Sequence, residues 1–359
     1  MKHVYIHIPF CKNICSYCDF CKLYHLPKFT ENYFDALKKE ITDSYLDELV
    51  TTIYIGGGTP SCLTKEELDK LFSIVNIFKK STNCEFTFEC NPEDITEELL
   101  TTLISAGVNR ISIGVESFNK NNLEFMERKA DFKDIQEKMN LIRQKGINNI
   151  NLDLIYALPN ESFETLKKDV KLLLKLNPEH ISTYSLIIEE DTKLKLNNTN
   201  YIDEELDAKM YEYICKKLKK NYTHYEVSNF AKEGYESVHN LAYWQNEEYY
   251  GFGLGASGYI NGFRYENTHN LDEYLKGNYH KEESLLSKTE MMEYEVILGL
   301  RMLKGISIQT FFDKYETNIQ DVFPVKPLLK SKELIYKNGY IFINPEKIYL
   351  MNEILLKLV

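Results

Sequence analysis

The chain alternates between short β-rich runs and longer segments whose apolar residues recur with a helical period. The β-rich runs are residues 4–10 (VYIHIPF), 52–58, 85–91, 110–117, 151–159 and 180–188. Helix-period segments fill the gaps at 30–49, 64–80, 96–106, 131–145 and 162–176. Several are bounded by recognisable signals. Thr64 and Ser162 stand where an N-cap hydroxyl is needed, and Glu67 occupies the capping-box position after Thr64. Gly107 and Gly146 fall where a helix commonly ends in a left-handed residue. Six β-α units predict a parallel sheet covered by helices. Two more would be needed for a complete (β/α)8 ring, so the expected α/β fold is an open, partial (β/α)6 TIM-type barrel. Its functional residues should gather at the C-terminal ends of the strands.

The pattern changes twice further on. Residues 222–265 are rich in Tyr, Gly and Asn with little helical period, which predicts extra strands and ordered loops. From about 288 the chain turns helical and closes with a strand-turn-strand and a last helix, a small winged-helix-like unit. The expected division is therefore a barrel over 1–221, a barrel extension over 222–284 and a C-terminal domain over 285–359.

Composition narrows the class of function. A net charge of -11 over 359 residues argues against a general nucleic-acid binder. The C-terminal unit, with ten Lys/Arg and nine Asp/Glu, carries no basic footprint either. No apolar run reaches the length of a membrane span, and MKHVYIHIPF lacks the apolar stretch and cleavage site of a signal peptide. The expected compartment is the cytoplasm, where clustered cysteines more often bind metal or do redox chemistry than form disulfides.

Four of the eight cysteines lie in CKNICSYCDFCK, residues 11–22. Cys11, Cys15 and Cys18 are spaced C-x3-C-x2-C. A zinc site usually needs a second short-spaced pair, and the remaining cysteines at 62, 84, 90 and 215 are scattered singles. Three thiolates on one loop suit a [4Fe–4S] cluster with one iron left open. The loop follows the first strand, at the barrel end that carries chemistry. Other residues point to the same end. Gly56-Gly57-Gly58-Thr59-Pro60 follows the second strand and lets backbone approach a ligand. Glu89 and Asp153 are carboxylates in otherwise apolar strands, costly unless paired or facing a ligand. Arg128 offers a guanidinium shaped to grip a carboxylate.

The cysteine spacing, with Tyr17 before the last thiol, resembles the signature of radical S-adenosylmethionine (SAM) proteins. That resemblance implies that SAM chelates the open iron and that an electron from the cluster cleaves it to a 5′-deoxyadenosyl radical. Tyr5, Tyr17, Gly57, Gly58, Thr59, Glu89, Glu116, Arg128 and Asp153 match the SAM contacts of the coproporphyrinogen-dehydrogenase branch. Two positions depart from that branch: Glu116 stands where Gln is usual, and Arg128-Lys129-Ala130 replaces Arg-x-His.

The resemblance covers nearly the whole chain, including DLIYALP, YEVSNFAKEGY and GFGLGASGY. It leaves two readings, an oxygen-independent coproporphyrinogen III dehydrogenase and a heme-chaperone branch. Three features favour the chaperones. The first strand starts at residue 4, without the extension of the enzymes. Position 20, where the enzymes place a fourth cysteine, is Phe, and Cys21 comes one residue later, outside the cluster set. HNLAYW (239–244) matches the HNxxYW motif of the chaperones. The implied partners are heme and recipient hemoproteins, membrane respiratory proteins among them, with a homodimer left open. His239 is the candidate axial heme ligand.

Overall fold

The computed structural model describes residues 2–190 and 192–359. Six parallel strands form the framework: β1 (Lys2–Ile8), β2 (Leu49–Gly57), β3 (Lys79–Cys90), β4 (Arg110–Glu116), β5 (Asn149–Tyr156) and β6 (His180–Ser185). They pair in sequence order. Helices α1 (Pro27–Ser44), α2 (Lys65–Val75), α3 (Glu97–Ser105), α4 (Phe132–Gln144), α5 (Phe163–Leu176) and α6 (Glu204–Leu218) follow successive strands.

The predicted boundaries hold where local chemistry sets them. The Thr64 hydroxyl accepts from the Glu67 amide, and the Glu67 carboxylate accepts from the Thr64 amide at 2.8 Å, completing a capping box on α2. Gly107 and Gly146 follow α3 and α4 with φ of +93° and +97°, where a Cβ would be strained. The third strand begins six residues before the predicted 85. Its polar start, KKSTNC, pairs with Leu49 and Val50 across an irregularity in β2 that alternation alone does not announce.

The later strands extend this sheet on both edges. Strands β7 (Thr223–Glu226) and β8 (Asn229–Ala231) add antiparallel beyond β6. On the other edge β9 (Tyr249–Phe252) lies parallel to β1, a seventh parallel strand. Three antiparallel strands continue outward: β10 (Ser257–Ile260), β11 (Phe263–Asn267) and β12 (His280–Leu285). The order is β12-β11-β10-β9-β1-β2-β3-β4-β5-β6-β8-β7, an open barrel wall. Glycine makes β9 feasible, because a Cβ on Gly251 would lie 1.8 Å from the Ser257 carbonyl oxygen.

Alternation divides the barrel chemically. Val4, Ile6, Ile53, Ile55, Phe86, Phe88, Ile111, Ile113, Leu152 and Ile181 are buried in the main apolar core with the helices. Each such side chain contributes about 1.5–3 kcal/mol on burial. The alternate positions on these strands, including Tyr54, Glu89, Ser112, Asn151, Asp153 and Ser182, line an interior cavity. The interior is thus polar, which suits a ligand better than a packed core.

Helix α7 (Val238–Trp244) sits at the N-terminal end of the barrel. Its first amides, on Val238 and His239, donate to the Glu85 carboxylate of β3 at 3.1 and 3.0 Å, an anion at a helix N-terminus. The C-terminal part contains helix α8 (Lys288–Gly299) and a small antiparallel sheet of β13 (Ile306–Ser307), β14 (Leu334–Lys337) and β15 (Tyr340–Ile343). It joins the barrel through backbone bonds from Val227 to Arg301 and from Leu303 to Tyr225. No helix among the described residues is long and apolar enough to cross a membrane.

Candidate functional site

The cysteine loop is clasped at its base. Phe10–Cys11 pairs with Leu23–Tyr24, and the amides of Leu23 and His25 donate to the carbonyls of Pro9 and Cys11. The His25 ring meets the Glu67 carboxylate at 2.9 Å, so the capping box of α2 also anchors the loop exit. What lies between is held over the C-terminal ends of the strands. Cys11, Cys15 and Cys18 line a cavity of about 420 Å³ there. All eight cysteines of the chain are free thiols.

Glycines bring the second strand against this loop. A Cβ on Gly58 would lie 2.9 Å from Cys11 Sγ and 2.8 Å from the Pro9 carbonyl oxygen, and one on Gly56 would meet the Glu89 carboxyl at 2.7 Å. The Thr59 hydroxyl donates to Cys11 Sγ at 3.4 Å. Burial raises the Cys11 thiol and pushes Cys18 up to about 11. Without a cation these thiols stay protonated, so a positive metal centre is what would make them thiolates.

The carboxylates form an inner ring below the thiols. Glu89 accepts from the Tyr54 hydroxyl at 2.7 Å and from the Gly57 amide at 3.1 Å. Asp153 accepts from Asn151 Nδ2 at 2.8 Å and from the Ser112 hydroxyl at 3.2 Å. Burial pushes Glu89 and Glu116 up to about 7 and raises Asp153 as well. Arg128 closes one side. Its guanidinium donates to Asn91 Oδ1 at 2.8 Å and to the Gly114 carbonyl, lies 3.9 Å from Cys15 Sγ, and lies 3.9 Å from Glu116. It remains charged, so Glu116 has a cationic neighbour even though it replaces the usual Gln.

The cavity therefore brings together Cys11, Cys15, Cys18, Tyr17, Gly57, Gly58, Thr59, Glu89, Glu116, Arg128 and Asp153. Tyr5 is not among its lining residues. Its hydroxyl instead meets His7 Nδ1 at 2.9 Å, and His7 Nε2 meets the Cys21 carbonyl at 2.7 Å. Cys21 packs away from the three other thiols, with its Sγ 3.1 Å from where a Cβ on Gly255 would be. Sequence reasoning missed Tyr54, Arg110, Ser112, Asn151, Ser182 and Asn240, all of which line the cavity. Period-2 alternation puts Tyr54, Ser112, Asn151 and Ser182 on one face of their strands, but not which face turns inward; the pairing of the strands supplies that.

His239 requires a correction. It lies in the plug helix α7, 1% exposed, and does not line the cavity. Its Nδ1 is 2.6 Å from the Thr52 hydroxyl and its Nε2 is 2.7 Å from the Tyr243 hydroxyl. Both ring nitrogens are engaged, so this arrangement leaves no lone pair for a heme iron. The motif's neighbouring Asn240 is the residue that reaches the cavity.

The donor set discriminates between metal groups. Among the described residues no three His, Cys, Asp or Glu side chains converge on a single-ion site. Three separate soft thiols around a cavity, with a cationic Arg128 behind one of them, fit a larger cluster with one open iron. Together the partial barrel and the thiol loop define a protein of the radical SAM class.

Comparison with known proteins agrees. The radical SAM superfamily model matches residues 5–173, and the HemN C-terminal domain model matches residues 286–350. The chain is 39% identical over 345 residues to the heme chaperone HemW of Lactococcus lactis, covering 93% of this chain and 90% of that one. It is 39% identical over 354 residues to the heme chaperone HemW of Bacillus subtilis, covering 94% and 93%. The chain belongs to this HemW family of the radical SAM superfamily. The coproporphyrinogen III oxidase HemN of Escherichia coli shares its fold, with a TM-score of 0.87 over 99% of this chain and 89% of that one, at 22% identity.

Proposed function

We propose that this protein is a heme chaperone that binds heme and passes it to recipient hemoproteins. The reading rests on its 39% identity, over more than nine-tenths of its length, to proteins named for that role. Cys11, Cys15 and Cys18 would hold a [4Fe–4S] cluster, with SAM in the cavity below. The cluster, when bound, supplies a Lewis-acidic open iron and a one-electron donor. Around it Gly57 and Gly58 offer close backbone approach, Arg128 offers a cation, and Glu89 and Asp153 offer acceptors for hydroxyl or ammonium groups. Tyr17 forms an aromatic wall. Tyr5 supports the site from behind, through His7. We place the protein in the cytoplasm, where its free thiols would stay reduced. Membrane respiratory hemoproteins are the recipients we propose, and a cluster-linked homodimer is a form to be tested by sizing the loaded and cluster-free protein.

The test has two arms. The reconstituted, reduced protein is titrated with heme by absorbance, and separately incubated with SAM and coproporphyrinogen III. Saturable heme uptake without protoporphyrinogen formation is the expected result. Protoporphyrinogen formation would replace the chaperone reading with the dehydrogenase one, and failure to take up heme in any cluster state would remove it.

His239→Ala gives a separate prediction. Two buried hydrogen bonds are lost and the Thr52 and Tyr243 hydroxyls are left without that partner. Unfolding stability should fall by about 1–3 kcal/mol, measured by urea denaturation, while heme affinity stays at the wild-type value. A loss of heme binding in a variant of wild-type stability would restore His239 as the ligand.

A further inference from the structure

Arg110 takes no part in the proposed cluster and SAM contacts. It is the first residue of β4, whose last residue is Glu116 beside Arg128. A strand of that length separates the two ends by about 20 Å, so Arg110 marks the floor of the cavity and the thiols mark its mouth. The side chain lines the cavity, yet the residue is only 1% exposed overall.

Its charge favours the carboxylates of Glu89 and Asp153 across the cavity, but it forms no ion pair with either. Nη1 reaches the Thr87 hydroxyl only at 3.5 Å, and the buried Nε has no partner. The acids nearby are engaged elsewhere. Glu85 caps the amides of Val238 and His239, Glu89 accepts from Tyr54 and Gly57, and Asp153 accepts from Asn151 and Ser112. The imidazoles are engaged too: His180 bonds Asn151 and Tyr225, and His239 bonds Thr52 and Tyr243. The other two cations of the cavity lining are accounted for. Arg128 holds Asn91 and the Gly114 carbonyl, and Lys22 donates to the Phe20 carbonyl. A buried guanidinium with no carboxylate in contact is costly to fold around, and its planar fork matches a carboxylate. Asn240 lines the same cavity, and its amide can add a hydrogen bond.

We propose that the cavity floor is a second subsite, separate from the thiol mouth, that takes the carboxylate of a small molecule on Arg110. The carboxylate could belong to a free small acid or to a propionate arm of a tetrapyrrole; the recognising chemistry is the same.

The probe is carbon-13-labelled propionate, added to the cluster-loaded protein at constant ionic strength with chloride as the control anion. Saturable line broadening and a saturable rise in melting temperature are expected with propionate and not with chloride. Arg110→Gln should weaken propionate binding by roughly tenfold or more, with Arg110→Lys in between, because a point charge lacks the fork. Should Arg110→Gln fail to fold, the wild-type comparison of propionate with chloride still decides. Equal effects of both anions, or unchanged binding in a folded Arg110→Gln protein, would overturn the proposal. Displacement of propionate by SAM would overturn the claim of a separate subsite; retention beneath bound SAM supports it. Displacement by heme would identify the arm of a tetrapyrrole as the source, and no displacement by heme a free small acid. The propionate and SAM arms do not depend on the chaperone reading; the heme arm rests on it, and the heme titration tests that reading separately.

Discussion

Single replacement of Cys11, Cys15 or Cys18 by Ala is expected to abolish cluster assembly, whereas Cys21→Ser leaves it intact. Iron and sulfide should fall from about four each per chain toward zero, together with the visible absorbance of the reconstituted protein. The expectation follows from where the loop puts each sulfur. Three thiols line the cavity mouth, and Cys21 packs instead beside Gly255 on the far side of His7. A fourth thiol, Cys90, borders the cavity, but it stands on β3 and packs in the apolar core, so no spare thiol on the loop can replace a lost one. The backbone should tolerate the changes, because the loop is held by its clasp and by His25–Glu67 rather than by the sulfurs. Circular dichroism of the variants should therefore match the wild type. Loss of iron in Cys21→Ser, at wild-type fold, would mean that the cluster takes four cysteines and has no open iron for SAM.

Glu89→Gln is expected to stabilise the SAM-free protein at pH 8 and to weaken SAM binding. Burial raises Glu89 from 4.5 to about 7. Between those values the folded state keeps a proton that the unfolded state has lost, so this group's contribution to stability falls as pH rises through that window. Above about pH 7 the full cost is present; below 4.5 it is absent. The gap corresponds to at most about 3 kcal/mol, and water in the cavity Glu89 faces screens part of it. A gain of about 1–2 kcal/mol at pH 8, shrinking markedly by pH 5, is the result expected from urea denaturation. SAM affinity, read by equilibrium dialysis of the cluster-loaded variant, should fall by roughly 10–100-fold, the value of a charged hydrogen bond. A gain equal at both pH values would show that ionisation is not its cause. Unchanged SAM affinity would take Glu89 out of the site.

The legible parts of this molecule are those whose signals are local. CKNICSYC carries three thiols within eight residues, so their grouping needs no knowledge of the fold. The capping box at Thr64 and Glu67, and the glycines at 107 and 146, depend on a single turn each. Glu89 and Asp153 stood out because a carboxylate in an apolar strand is expensive. Arg110, Ser112, Asn151 and Ser182 did not, because a polar residue near a strand end reads equally well as an edge facing water. Only the parallel register turns them inward beside Glu89 and Asp153. The strand at 249–252 was similarly hidden: four residues amid glycines say little until they are seen to pair with β1.

His239 marks the same boundary from the other side. HNLAYW identified the family correctly, and the comparisons agree, but a motif does not say which way a ring points. Thr52 and Glu85 come from strands far away in sequence, and they hold α7 as a plug with the imidazole turned into its own hydrogen bonds. By itself, then, the sequence determined the α/β class and the family, since these rest on periodicity and motifs read along the chain. The tertiary structure alone decided which polar groups share the cavity, that Tyr5 and His239 lie outside its lining, and that Arg110 is buried with its Nε unpartnered. Those properties belong to contacts between strands, and burial and hydrogen bonding are settled only when the strands meet.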